Sequence, residues 1–271
     1  MLADGPPRRL GHTGAPLEIV ELPRDVFPQQ RYLRLHDHPL YELSPTCETC
    51  PPLFRQLAEV QSPERLSSAE FKERLAIGLG ALDEDILRVM SGVLPPGEYL
   101  PLLLRLWPTR VLPGEAGDYF ADERAASFEL DGIDDQPSGP YYRGTSRQWS
   151  DHVQLFEFIL PLASSASLNP ARVIHYQALI HDGLAPTALA LSILDGSVGE
   201  ISDHQVAPLH WSLGHFLLDG HHKIRAAAEL GGPLNLLCVL STSMGKARRD
   251  AVMQLACELA GHEWAGSDLL R

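Results

Sequence analysis

Apolar and polar positions are most legible between Leu213 and Leu240. Phe216-Leu217-Leu218 is an apolar run closed by Asp219-Gly220, the pattern of a buried strand that stops abruptly. His221-His222-Lys223-Ile224-Arg225 and an alanine-rich run follow as a helix, with Gly231-Gly232-Pro233 as its stop. Leu234 to Leu240 returns as a second apolar strand. Upstream, the pattern predicts a strand over Val153–Leu160, a polar loop over Pro161–Pro170 and a helix over Val173–His181. A strand over Thr187–Leu194 and a turn at Asp195-Gly196-Ser197 come next. Lys246–Leu259 reads as an amphipathic closing helix.

The first half reads differently. Residues 1–16 are a loose tail, and Leu17–Leu22 suits an edge strand. After Pro51-Pro52 the spacing turns helical: Ser67-x-x-Glu70 is a capping box, with Phe71, Leu75 and Leu79 at helical intervals. Apolar residues continue through Leu100–Leu104, where prolines from Pro95 to Pro113 limit helix length. Asp131–Gly144, rich in Asp, Gly and Pro, is the linker candidate. The expected architecture is α+β, with a mainly helical N-terminal region over 1–140 and an α/β domain over 141–271.

Composition narrows the function classes. A chain of 271 residues with 44% hydrophobic and 21% charged residues builds packed cores. No apolar run is long enough to span a bilayer, and Arg8-Arg9 is not followed by the apolar core of a signal peptide. The expected address is the cytoplasm, with no membrane partner. The formal net charge of −13 opposes general nucleic-acid binding. Cys238 and Cys257, in a strand and a helix, read as core residues.

Two stretches carry candidate chemistry. Cys47-x-x-Cys50 has the spacing at which two thiolates grip a structural zinc ion, with His36 or His38 available to complete the ligand set. A redox pair and two plain loop thiols stay open beside it. At Asp219-Gly220 the start of a helix offers free backbone N–H groups and the positive end of its dipole. His221, His222, Lys223 and Arg225 add donors and charge there, so the corner suits an anion, phosphate first. Tyr141, Tyr142, Arg143, Arg147 and Trp149 suit stacking on a nucleobase or, equally, a seam between domains.

Asp219-Gly220-His221-His222-Lys223 followed by Ala226-Ala227-Ala228, with His181-Asp182-Gly183-Leu184-Ala185-Pro186 upstream, resembles the fingerprint of the ParB/sulfiredoxin superfamily. The resemblance covers about residues 152–242. It implies a ParB/sulfiredoxin-like α/β domain that binds ATP, ADP or CTP with magnesium through Gly220, His221, His222, Lys223 and Arg225. It also implies phosphoryl transfer to a small molecule or nucleotide hydrolysis, with Asp219 as base or metal ligand and His221 beside it. The superfamily's serine kinases also require a glutamate before the helix. Pro161–Pro170 holds no carboxylate, which leaves Glu157 and Asp182 as the nearest substitutes.

Sulfiredoxin chemistry is not expected, because His221 stands where its reactive cysteine follows the turn glycine. Nor is a partition protein, whose DNA-reading domain is not expected in the short remainder. The alternative is a non-enzymatic module, switched by nucleotide, that contacts a protein partner or a second copy. A weaker resemblance, to a phage-repressor-type helix-turn-helix over 68–105, rests on Leu75-Ala76, Leu79-Gly80, Ile86, Gly92 and Pro96. Asp83-Glu84-Asp85 would repel phosphates where such a helix meets DNA.

Overall fold

The computed structural model describes residues 1–21, 30–44, 54–59, 69–120, 139–150, 153–197, 201–202, 205–206 and 209–260. The first segments form β1 (Ala3–Asp4), β2 (Arg8–Leu10), β3 (Leu17–Glu21), β4 (Arg31–Leu35), β5 (His38–Leu43) and β6 (Phe54–Gln56). Helices α1 (Ala69–Ile77) and α2 (Glu84–Ser91) follow, then β7 (Gly97–Leu106), β8 (Thr109–Val111), β9 (Tyr141–Ser150) and β10 (Val153–Pro161). Next come α3 (Pro170–His181), β11 (Thr187–Ser197), β12 (Ile201–Ser202), β13 (Gln205–Val206) and β14 (Leu209–Asp219). The chain closes with α4 (His221–Leu230), β15 (Leu234–Ser241) and α5 (Arg249–Ala260).

A nine-stranded mixed sheet runs β1-β7-β15-β11-β14-β10-β9-β8, with β2 also on β7. β10 lies parallel to β14 and β11 parallel to β15, while β11 and β14 run antiparallel. Successive residues of a strand face opposite sides, so these apolar runs feed two cores. Leu189, Leu191, Ile193, Phe216 and Phe158 pack toward the four-stranded sheet β3-β4-β5-β6 and toward α1 and α2. Ala188, Ala190, Leu213, Leu217 and Leu236 pack under α3, α4 and α5. The result is three layers, with the central strands of the large sheet buried on both faces, an α+β architecture.

Among its described residues the N-terminal region is not mainly helical. Strands β1 to β8 outnumber its two short described helices, and β7 and β8 belong to the same sheet as β9 to β15. The sheet therefore runs across the position of the expected linker. Proline explains how β7 escapes a sequence reading. Pro101 has no N–H, yet its carbonyl accepts from Gly5 N at 3.1 Å, so its bare nitrogen also faces the β1/β2 side. There the edge is broken, β1 ending at Asp4 and β2 starting at Arg8, and no ladder bond is lost.

The small sheet is locked to the large one by a buried network. Arg31 donates to both Asp195 oxygens, at 3.1 and 3.2 Å, and to the carbonyls of Ser44 and Met244. Phe54 stands edge-on to Phe216, ring centroids 5.7 Å apart, above Gly214, where a Cβ would come within 2.9 Å of its ring.

The acidic triplet at α2 is spent locally. Asp83 caps the helix by accepting from Asp85 N and Ile86 N and pairs with Arg74, while Glu84 meets Arg8 and Asp85 meets Arg88. Ile86, Leu87 and Met90 of α2 are buried in the core. Among the described residues, no helix is long and apolar enough to cross a membrane.

Candidate functional site

The candidate site lies where β14 runs directly into α4. Gly220 caps α4 with φ of 100°, a left-handed conformation that glycine adopts without penalty. A Cβ there would meet Ala188 Cβ at 2.6 Å. Glycine is therefore required by the fold at this point, because the turn backs onto β11, and its missing side chain faces protein.

The two histidines that open α4 hold a loop. His221 Nε2 accepts from Ala163 N–H at 3.1 Å, and His222 Nε2 accepts from Asn169 N–H at 3.0 Å. Both donors belong to the segment between β10 and α3, so residues 163–169 are clasped at each end across the start of α4. An imidazole nitrogen accepts only when unprotonated. Burial pushes His221 down to about 4 despite Asp219 nearby, and burial likewise lowers His222, helped by Arg172.

Lys223 turns inward. Its Nζ donates to Thr187 O at 2.7 Å and to Asp219 Oδ2 at 3.3 Å, and lies 5.8 Å from the Tyr176 ring centroid. Burial lowers its pKa, partly countered by Asp219. Asp219 keeps 35% of its side chain exposed. Burial would raise its carboxyl, but Lys223 and His221 outweigh that and hold it below the ordinary range. Arg225 turns away, paired with Glu229, and its charge is felt by the Tyr142 hydroxyl.

The Asn169–His222 bond brings the first turns of α3 and α4 together. Asn169 is also the cap of α3, accepting from Ala171 N at 2.9 Å. Arg172, exposed in that first turn, adds positive field at Tyr176, His222 and Lys223. The corner thus combines two helix N-termini, Arg172 and Lys223 against one carboxylate. Arg172 escaped the sequence reading. Its signal was the Asn169-Pro170 start of α3, two residues before it.

Glu157 is not in this corner. On β10 it is in register with Leu213, six residues before Asp219, roughly 20 Å along the strand. Its Oε1 bonds His215 Nε2 at 3.1 Å, and His215 Nδ1 lies 2.6 Å from Ser192 Oγ. All three side chains are buried under the helical layer, and Glu157 fits only because Gly144 leaves room for its carboxylate. Burial opposes charge on His215, but Cys238 and Glu157 beside it prevail and raise it to about 9.

The proposed zinc ligands divide. His36 and His38 are exposed at the β4–β5 turn, His36 with φ of 54°, whereas Cys47 and Cys50 lie outside the described residues. Among the described residues, no cluster of three or more His, Cys, Asp or Glu side chains has the arrangement of a metal site. Comparison of the chain with protein families, curated proteins and solved structures returned no match.

Proposed function

We propose that the protein binds a nucleotide, ATP, ADP or CTP, through its phosphates at the joined N-termini of α3 and α4. The observation that carries this reading is the Asn169–His222 bond, which sets Arg172 beside Lys223 where two helix dipoles converge. The resemblance of Asp219–Lys223 to the ParB/sulfiredoxin fingerprint points the same way. Donor by donor, the account differs from the sequence expectation. His221 and His222 hold the loop, Arg225 faces Glu229, and Arg172 with the backbone N–H groups is left to meet the anion.

In this reading binding serves as a switch, because a phosphate entering the corner pulls against the histidine clasp on residues 163–169. A protein partner or a second copy would read the loop's position. A second reading, phosphoryl transfer or hydrolysis, draws support from the half-exposed Asp219. Held ionised by Lys223, Asp219 suits a magnesium ligand better than a general base. Magnesium would neutralise charge between phosphate oxygens, while Lys223 orients Asp219. Glu157, bonded to His215 inside the sheet, has no part in either reading.

Calorimetric titration with each nucleotide and magnesium tests the binding claim. Arg172→Ala should weaken affinity by one charge-assisted contact, roughly 1.5–3 kcal/mol, or about ten- to a hundredfold. Phosphate release measured on the same samples separates the switch from the enzyme. If none of the three nucleotides binds the parent protein, the corner does not have this function.

A further inference from the structure

On the other side of the clasped loop lies a second concavity. It is a cleft with about 360 Å³ of open space, partly continuous with solvent, between α4, the 161–168 segment and the β8–β9 edge. Its walls include Tyr142, Leu168 and Ile224, and its polar groups include Arg110, Ser165 and Glu59.

Arg110 is the informative group. It is half-buried on β8 and has no hydrogen bond or ion pair with any described residue, although its charge is felt by the Tyr142 hydroxyl. Nearly every other described arginine near the sheet has a partner, such as Arg31 with Asp195 and Arg55 with Glu42. A guanidinium beside apolar lining and without a partner among the described residues favours a planar carboxylate, which it meets with two parallel donors. Glu59, a second charged group of the lining, lies at the exposed rim, where its carboxylate repels a doubly charged ligand more than a singly charged one. The cleft therefore suits a monoanion better than a doubly charged phosphate.

We propose that this cleft binds a small organic carboxylate with a compact apolar body. The carboxylate sits on Arg110 with the Ser165 hydroxyl in reach, and the body rests on Tyr142, Leu168 and Ile224. The cleft shares His221 and Ala163 with the clasp beside the α3–α4 corner, but the groups that would hold the carboxylate and its apolar body are not those of the corner.

Benzoate is the probe, with benzamide as its neutral counterpart and phenyl phosphate as the doubly charged one. All three are titrated into the full chain and followed by amide NMR shifts. Benzoate should bind at least tenfold more tightly than either of the others. Arg110→Gln should weaken benzoate at least tenfold, Leu168→Trp should block it by filling the cleft, and Arg172→Ala should leave it unchanged. Equal binding of benzoate and benzamide, or benzoate binding that survives both Arg110→Gln and Leu168→Trp, would overturn the proposal. So would a preference for phenyl phosphate that Arg172→Ala abolishes, since the anion would then sit in the corner. No benzoate-dependent shift at millimolar concentration in the parent would do the same.

Discussion

His215 lies in the middle of the nine-stranded sheet, and His221 lies at its end where β14 meets α4. Both imidazoles are buried, yet they are driven to opposite proton states, His215 up to about 9 and His221 down to about 4. Burial alone favours the neutral ring at both positions. The partner decides the outcome. Beside His215 stand Cys238 and the Glu157 carboxylate, which together reward a positive ring. Across from His221 stands the Ala163 N–H, a donor that demands a bare nitrogen. One site is an ionic tie between strands inside the protein, and the other is a neutral latch on a surface loop.

The largest effect comes from breaking the ionic tie. Glu157→Ala strands His215 in the interior without its counter-charge and should cost about 3–5 kcal/mol of stability in urea unfolding. A loss below about 1 kcal/mol would mean that the pair contributes no more than a surface contact. Next comes the turn shared with the latch. Gly220→Val combines a positive φ with the close Ala188 contact and should cost roughly 2–5 kcal/mol. Because that cost arises in the fold, reduced stability should accompany any loss of ligand binding. A variant of normal stability that fails only to bind would place the missing side chain at the ligand instead.

Smaller losses should follow from the latch itself. His221→Phe leaves the buried Ala163 N–H without an acceptor and should cost about 1–3 kcal/mol. His222→Leu should cost less, since exposed Asn169 can turn to water. Hydrogen exchange at Ala163 and Asn169 should accelerate in each variant separately. Equal effects at both amides in both variants would show that the loop moves as one piece.

Titration gives the most gradual effect. His221 has a depressed folded pKa, so its contribution is present above about 6.5 and fades as pH falls through about 4. His215 has a raised one, so its contribution is complete below about 6.5 and fades as pH rises through about 9. Each is bounded at about 1.4 kcal/mol per pH unit. Their sum should peak near pH 6.5, and a stability curve without a maximum there would undo the pairing of opposite sites.

Legibility in the sequence followed the distance between partners. β14, α4 and β15 fall where their apolar runs, the Asp219-Gly220 turn and the Gly231-Gly232-Pro233 stop placed them. β10, α3 and β11 do so as well, except that Asp195-Gly196-Ser197, expected as a turn, continues β11 in its pairing with β14. The corner was visible as a cluster because Asp219 to Arg225 occupy less than two helical turns. The bonds that give those residues their roles were invisible, since Ala163, Asn169 and Thr187 lie 58, 53 and 36 residues from their partners. The Ser192–His215–Glu157 chain was hidden for the same reason, its members sitting on three different strands. In the first half every described strand but β7 is two to six residues long, and the alternation within each is too brief to stand out from helical spacing.

The most direct measurement is an NMR titration of the histidine rings in the parent protein, with the Ala163 and Asn169 amides followed in the same spectra. His215 should remain protonated until the pH nears about 9, and His221 should remain neutral until it nears about 4, where the Ala163 amide signal should move as its acceptor is lost. Titration of both rings near 6.5, with the Ala163 amide indifferent to pH, would contradict the account.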